Sequence, residues 1–281
     1  MRRQHVSRTI ACANQKGGVG KTTTVVNLAT YLGRAGRRVL VLDLDPQGNA
    51  TSGFGVDRGA VSDTIYESLS DGRPIEVAIM ASGWEGVDLV PSSIGLAAIE
   101  VDLAGVEQRE RRLARVIAPV VDGYDDVFID CPPSLGLLTV NALTAADAVL
   151  IPLQCEYYAL EGLSQLIATI DLVRDNLNPN LRVGGVLLTM FDARTKLSSD
   201  VAAEVRRHLP DTVYETVVPR SVRLAEAPSY GQPIASYSPE SRGARAYRAL
   251  ADEYVARADP RASGTSAPAT PVMAPLTAVM A

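Results

Sequence analysis

The segment N-Q-K-G-G-V-G-K-T-T, residues 14–23, gathers the residue types that bind a polyphosphate. It follows the apolar run R-T-I-A-C-A at 8–13 and precedes a helical pattern. In that strand–loop–helix setting, backbone N–H groups and a helix N-terminus face phosphate oxygens. Gly17, Gly18 and Gly20, with Val19 between them, let the backbone approach a nucleotide such as ATP. Lys21 is placed to reach the β- and γ-phosphates, Thr22 to ligate Mg2+ and Thr23 to meet the α-phosphate. Three lysines stand among the 27 basic residues, and two of them, Lys16 and Lys21, lie in this loop. One is enough for a phosphate loop. Gln15 occupies the place where the general pattern G-x-x-x-x-G-K-[ST] has its first glycine, and Lys16 adds a cation that Lys21 and Mg2+ make redundant within one subunit.

Hydrolysis of a bound nucleotide also needs carboxylates, to hold the cation and to align a water against the γ-phosphate. In a doubly wound sheet these belong at the carboxyl ends of strands, where ligands lie. The run R-V-L-V-L-D-L-D ends on Asp43 and Asp45, two residues apart and therefore expected on one strand face. The run D-V-F-I-D ends on Asp130, the layout of a Walker B element, and Pro132 and Pro133 then fix the backbone beyond it. Asp43 has two readings at this stage: a direct Mg2+ ligand, or an acceptor of loop hydrogen bonds.

The pattern K-G-G-x-G-K-T-T resembles the deviant Walker A loop of the ParA/MinD family of dimeric ATPases, and D-x-D-P-Q-G-N-A-T resembles the segment after that family's second strand. Two further stretches, L-I-P-L-Q-C-E-Y-Y-A-L-E-G-L and V-V-P-R-S-V-R-L-A-E-A-P-S-Y-G-Q-P-I, are similar to chromosomal and plasmid ParA proteins of the Soj type, so the resemblance spans about residues 8–255. It implies that Lys16 reaches across a dimer interface to the partner's phosphates, that Asp45 orients the attacking water, and that Asp130 belongs to the magnesium shell. It also implies adenine contacts from Pro219 and Ser221. The ATP homodimer would bind double-stranded DNA without sequence preference, and a ParB-type centromere-binding partner would stimulate hydrolysis.

The charge pattern can be set beside these implications. The net charge is −5, yet Arg206, Arg207, Arg220, Arg223, Arg242, Arg245 and Arg248 concentrate in the last third, and a few arginines on one face of a dimer suffice for phosphate contact. Arg220, Arg223 and Arg245 are the candidate DNA contacts. A MinD-like membrane cycle would need an amphipathic C-terminal helix, which four prolines in the tail oppose. A non-hydrolysing scaffold is opposed by the presence of Asp45.

Positioning such a site requires a sheet. The apolar runs at 8–13, 38–45, 87–91, 126–130, 148–153 and 183–191 alternate with helical patterns at 22–36, 158–177, 198–209 and 241–258. Continuous apolar strands separated by helices predict an α/β fold: one doubly wound, mostly parallel sheet with helices on both faces, a P-loop NTPase of the deviant Walker A type. In the last helix Ala246, Leu250 and Tyr254 are expected on the buried face. The expected organisation is one ATPase domain over 1–258 and a disordered Pro/Ala/Ser/Thr-rich tail over 259–281. No apolar stretch reaches the ~18 residues of a membrane span. A cytoplasmic, nucleoid-associated protein with no membrane partner is expected. Cys12, Cys131 and Cys155 lack metal-ligand spacing and read as buried hydrophobes. Residues 60–105, with Trp84, carry no chemical signal beyond core and surface.

Overall fold

Seven strands, β1 (Arg8–Cys12), β2 (Val39–Asp43), β3 (Met80–Trp84), β4 (Val87–Val90), β5 (Asp126–Asp130), β6 (Ala148–Gln154) and β7 (Arg182–Thr189), form one sheet in the order β3-β4-β2-β5-β1-β6-β7. The computed structural model describes residues 7–157 and 159–258, so the expected tail at 259–281 lies outside the described residues. Neighbouring strands are parallel except β3 and β4, which run antiparallel at one edge. β3 escaped the sequence reading for a physical reason. Its buried residue is Ser82, and Gly83 (φ 84°) falls at an irregularity in the pairing with β4, so it carries no apolar alternation.

Between the strands run helices α1 (Lys21–Arg34), α2 (Asn49–Gly53), α3 (Ile65–Ser70), α4 (Ile99–Asp102), α5 (Arg112–Ile117), α6 (Leu137–Ala145), α7 (Ala159–Asn176), α8 (Lys196–His208), α9 (Val222–Glu226), α10 (Ile234–Tyr237) and α11 (Arg242–Ala258). Strand alternation sorts them into two layers. Ile10, Cys12, Val39, Val41, Phe128, Leu150 and Leu187 face α1, α10 and α11. Ala11, Leu40, Leu42, Val127, Ile129, Ile151 and Leu188 face α3 and α5–α8. Both faces are covered, which explains why the central strands read as unbroken apolar runs.

That alternation also aims the acids. Counting by twos from Val39 and Phe128 puts Asp43 and Asp130 on the α1 side of the sheet, where they are direct partners in the β2–β5 register. β2 stops at Asp43, so Asp45 belongs to the following loop rather than to the strand face expected for it. Helix α1 ends at Arg34 with Gly36 just beyond in the left-handed region (φ 84°), where glycine avoids the steric cost of a side chain.

In α11 the buried stripe is Tyr247, Leu250, Ala251 and Tyr254, whereas Ala246 is only half-buried. Leu250 and Tyr254 are buried as expected, and only Ala246 lies at the margin of that face, beside Tyr247. Tyr247 gives Thr24 of α1 a hydroxyl–hydroxyl contact of 3.1 Å. At the amino end of the sheet, fully buried Asp126 accepts from Arg8 (2.7 Å), Arg37 (2.5 Å) and the Tyr254 hydroxyl (2.8 Å), with Arg8 stacked 4.4 Å over the Tyr254 ring.

Asp126→Ala would leave two guanidinium groups and a phenol without their acceptor. It is expected to cost about 3–5 kcal/mol of stability, read as a lowered urea midpoint at unchanged slope. A midpoint equal to wild type would contradict the reading of this cluster as the fastening between α11 and the first strand.

Candidate nucleotide site

The loop after β1 turns through Gly18 (φ 74°) and Gly20 (φ 92°), and α1 starts at Lys21 with Gly20 as its N-cap. No acidic residue lies in the first turn of α1, so its unpaired N–H groups and positive dipole end face an anion without competition. Asn14 anchors the loop at both ends of its amide: Nδ2 donates to Pro152 O at 2.8 Å and Oδ1 accepts from Lys16 N at 3.0 Å. The Lys21 ammonium is buried and donates to Lys16 O at 3.2 Å. Its remaining N–H bonds have no acceptor among the described residues.

Thr22 Oγ1 donates to Asp130 Oδ2 at 2.7 Å, while Asp130 Oδ1 is buried with no hydrogen-bond partner among the described residues. Burial, reinforced by the neighbouring Asp43 charge, pushes the Asp130 carboxyl well above the usual carboxylate range. Burial also pushes Asp43 up, to about 6, against the hydrogen bonds from Thr51. Two adjacent buried carboxylates with one oxygen open beside a threonine hydroxyl form an electron-rich corner that fits a hard divalent cation.

Asp43 itself is otherwise engaged. Oδ2 accepts from Thr51 N and Thr51 Oγ1, both at 2.7 Å, and Oδ1 accepts from Asp45 N at 3.3 Å. Of its two readings the structure favours the acceptor of loop hydrogen bonds, which leaves Thr22 and Asp130 as the candidate groups beside a cation. Asp45 extends to a cleft of about 750 Å3 lined also by Gly17, Gly18, Gly20, Lys21, Thr22, Thr23, Pro219 and Ser221. Its Oδ1 accepts from Gln47 N at 2.9 Å.

One expected contact falls differently. Val19 has a buried side chain that does not line the cleft; its carbonyl accepts from Thr189 Oγ1 at 2.9 Å, so only its backbone serves the loop. The Lys16 ammonium turns away from its own cleft to an ion pair with Glu156 and is 46% exposed. Among the arginines, Arg206 holds Tyr214 O and Glu215 O, and Arg207 pairs with Glu204, which are local structural tasks. Arg220, Arg223 and Arg245 are exposed, with Arg223 paired to Glu226 at 2.9 Å, Arg245 donating to Glu240 O at 2.9 Å, and Arg220 at the cleft rim.

Other lining residues went unread in the sequence, among them Met190, Gln47, Asn49 and Tyr247. Met190 follows the carboxyl end of β7 at φ 49°, a left-handed conformation uncommon for a non-glycine residue. Its position past a parallel strand end was the available signal. Cys12, Cys131 and Cys155 are all buried and unpaired by disulfide.

Known proteins resemble this chain over most of its length. The AAA domain family matches residues 7–183. The chain is 54% identical to the sporulation initiation inhibitor protein Soj of Bacillus subtilis, over 89% of this chain and 99% of that protein. It is 52% identical to the chromosome partitioning protein ParA of Myxococcus xanthus, over 91% and 90% of the respective chains. A structure named as a cobyrinic acid a,c-diamide synthase from Mycobacterium smegmatis, with bound ATP analogue and magnesium, superposes with TM-score 0.75 at 40% identity, covering 88% of this chain and 93% of that one. The septum site-determining protein MinD of Pyrococcus horikoshii, complexed with Mg-ADP, superposes with TM-score 0.73 at 27% identity, covering 88% and 96%.

The loop geometry yields a paired prediction. Gly20→Ala forces a side chain into the left-handed region and is expected to cost about 1–2 kcal/mol. Gly17→Ala places its Cβ at an ordinary 3.8 Å from Pro133 Cβ and should cost little. Equal urea midpoints for the two variants would refute the backbone argument.

Proposed function

This chain belongs to the ParA/Soj family of chromosome-partitioning ATPases, and from that premise we infer a nucleotide-driven switch that grips and releases DNA. It hydrolyses ATP to ADP and phosphate with Mg2+. The observation that carries the cofactor reading is the Thr22–Asp130 pair beside the phosphate loop, with Asp130 Oδ1 left open. Mg2+, when bound, would supply positive charge that offsets the charge on the transferring phosphoryl group. Thr22 would hold it directly and Asp130 through water. Among the described residues no three His, Cys, Asp or Glu side chains form a protein cage, so its other ligands would be phosphate and water.

The chain's own groups divide the work. Lys21 and the N–H groups of the loop and of α1 hold the phosphates in place. Asp45, at the cleft wall, orients the attacking water and stabilises the positive charge that develops on it. Lys16 acts in trans: in the second subunit of an ATP-bound homodimer it leaves Glu156 and pairs with the first subunit's phosphates, which ties dimerisation to ATP. Pro219 and Ser221 flank the adenine. DNA is held without sequence preference through phosphate contacts from Arg220, Arg223 and Arg245, and a ParB-type partner stimulates hydrolysis and release. The site of action is the nucleoid. Among the described residues no helix is long and apolar enough to cross a membrane.

The chain is less similar to the protein named as a diamide synthase, 40% identical against 54% for Soj, so partition is the better supported assignment.

Binding to random-sequence duplex DNA and to anionic liposomes, each with ATP or ADP, tests this function. DNA retention only with ATP, weakening steeply with salt, is expected. Retention on liposomes but not on DNA would overturn it. Lys16→Ala should still bind ATP yet neither dimerise nor hydrolyse it, and ATP-dependent dimerisation at wild-type level would refute the trans role. Asp45→Ala should accumulate the ATP dimer in size-exclusion light scattering, and absence of that dimer would count against the water-orienting role.

A further inference from the structure

Beneath Asp45 lies a closed ring of hydrogen bonds that the phosphate loop does not require. Thr51 donates both its N–H and its hydroxyl to Asp43 Oδ2 at 2.7 Å. The same hydroxyl accepts from Ser92 N at 3.1 Å, and Ser92 Oγ donates to Asp45 O at 2.5 Å. Asp45 N completes the circuit to Asp43 Oδ1 at 3.3 Å. The peptide groups on both sides of Asp45 are therefore fastened to fixed points, and the side chain between them is aimed at the cleft. Thr51 and Ser92 are almost fully buried, at 0% and 2% exposure, and neither lines the cleft, so they touch neither nucleotide nor cation directly.

We infer that Thr51 and Ser92 are positioning residues for hydrolysis, setting where the Asp45 carboxylate meets the attacking water. The inference rests on the reading of Asp45 as the water-orienting group. Thr51 is suited to the task because one hydroxyl supplies a donor to Asp43 and an acceptor to Ser92, linking α2 to the end of β4. Ser92 comes from the stretch 60–105 that had no chemical signal in the sequence. Its hydroxyl and N–H connect the far side of the sheet edge to the catalytic loop. From outside, Arg58 donates to Pro46 O at 3.2 Å and to Gln47 O, so the segment after Asp45 is pinned as well. A loop held at this many backbone points has little freedom to re-aim its carboxylate.

A packing role and a positioning role differ in what they move. Thr51→Val keeps shape and volume but removes the bifunctional hydroxyl, whereas Thr51→Ser keeps the hydroxyl and removes a methyl. Steady-state ATP hydrolysis by the full chain, with Mg2+ and duplex DNA, is the readout. Thr51→Val and Ser92→Ala should lower kcat about 10- to 100-fold, the penalty of a displacement near 1 Å, with KM for ATP unchanged, and Thr51→Ser should restore most of the rate. Should Thr51→Val lose its fold by circular dichroism, Ser92→Ala, which deletes a single hydroxyl, decides by the same comparison. Wild-type kcat in Ser92→Ala together with either Thr51→Val or an unfolded Thr51→Val would overturn the inference. So would a failure of Thr51→Ser to restore the rate, which marks a packing role. Asp45→Ala, measured in parallel, separates the two levels: if it turns over like wild type, the assignment of Asp45 fails, whereas if it is inactive while Thr51→Val and Ser92→Ala are not, the positioning inference alone fails.

Discussion

Two fully buried carboxylates, Asp43 and Asp130, lie side by side on β2 and β5, and much of the cleft can be understood as the compensation they demand. Like charges in a low-dielectric interior are unfavourable unless hydrogen bonds or cations offset them. Asp43 is offset by N–H and O–H donors from Thr51 and Asp45, which draws the loop after β2 down onto the sheet. Asp130 is offset by one hydroxyl, Thr22, and by the nearby Lys21 ammonium, which draws the start of α1 toward the same strand edge. The oxygen left over is the place where an external cation gains most. One electrostatic constraint thus organises the phosphate loop, the loop after β2 and the Thr22–Asp130 corner together.

Lys16 shows the complementary situation. Its backbone is part of the loop, receiving Lys21 through its carbonyl, yet its ammonium sits half-exposed against Glu156 at the carboxyl edge after β6. An ion pair this exposed contributes only about 0–1 kcal/mol, so exchanging it for a triphosphate is an easy trade. A weak partner at home is compatible with a strong one across an interface.

How much of this was legible in the sequence varied with the range over which each signal acts. The phosphate loop, Asp45 and Asp130 could be read because glycine spacing and acids at strand ends are local patterns set by chain geometry. The parallel sheet and its two helical layers were visible for the same reason, as apolar strands alternating with helical periods. Asp43 stayed ambiguous because its two roles share a residue type and differ only in which donors fold back onto it. Ser92 gave no signal, and Thr51 none beyond its place in D-x-D-P-Q-G-N-A-T, since a buried hydroxyl between two loops has no spacing rule, and β3 was hidden by its serine and glycine. In α11, Tyr247 escaped because Ala246 also satisfies a helical interval, and only the contact with Thr24 decides between them.

The docking of α11 carries a consequence for synthesis. Helix α11 crosses the α1 layer from the nucleotide cleft, where Tyr247 meets Thr24, to the amino end of the sheet, where Tyr254 meets Asp126 and Arg8. The first strand and the last described helix are thereby sealed to each other across nearly the whole length of the domain. Such end-to-end contacts form late and slow folding. A nascent chain still on the ribosome has its phosphate loop but lacks Tyr247, which lines the cleft and meets Thr24, so a product truncated before α11 does not carry a finished cleft.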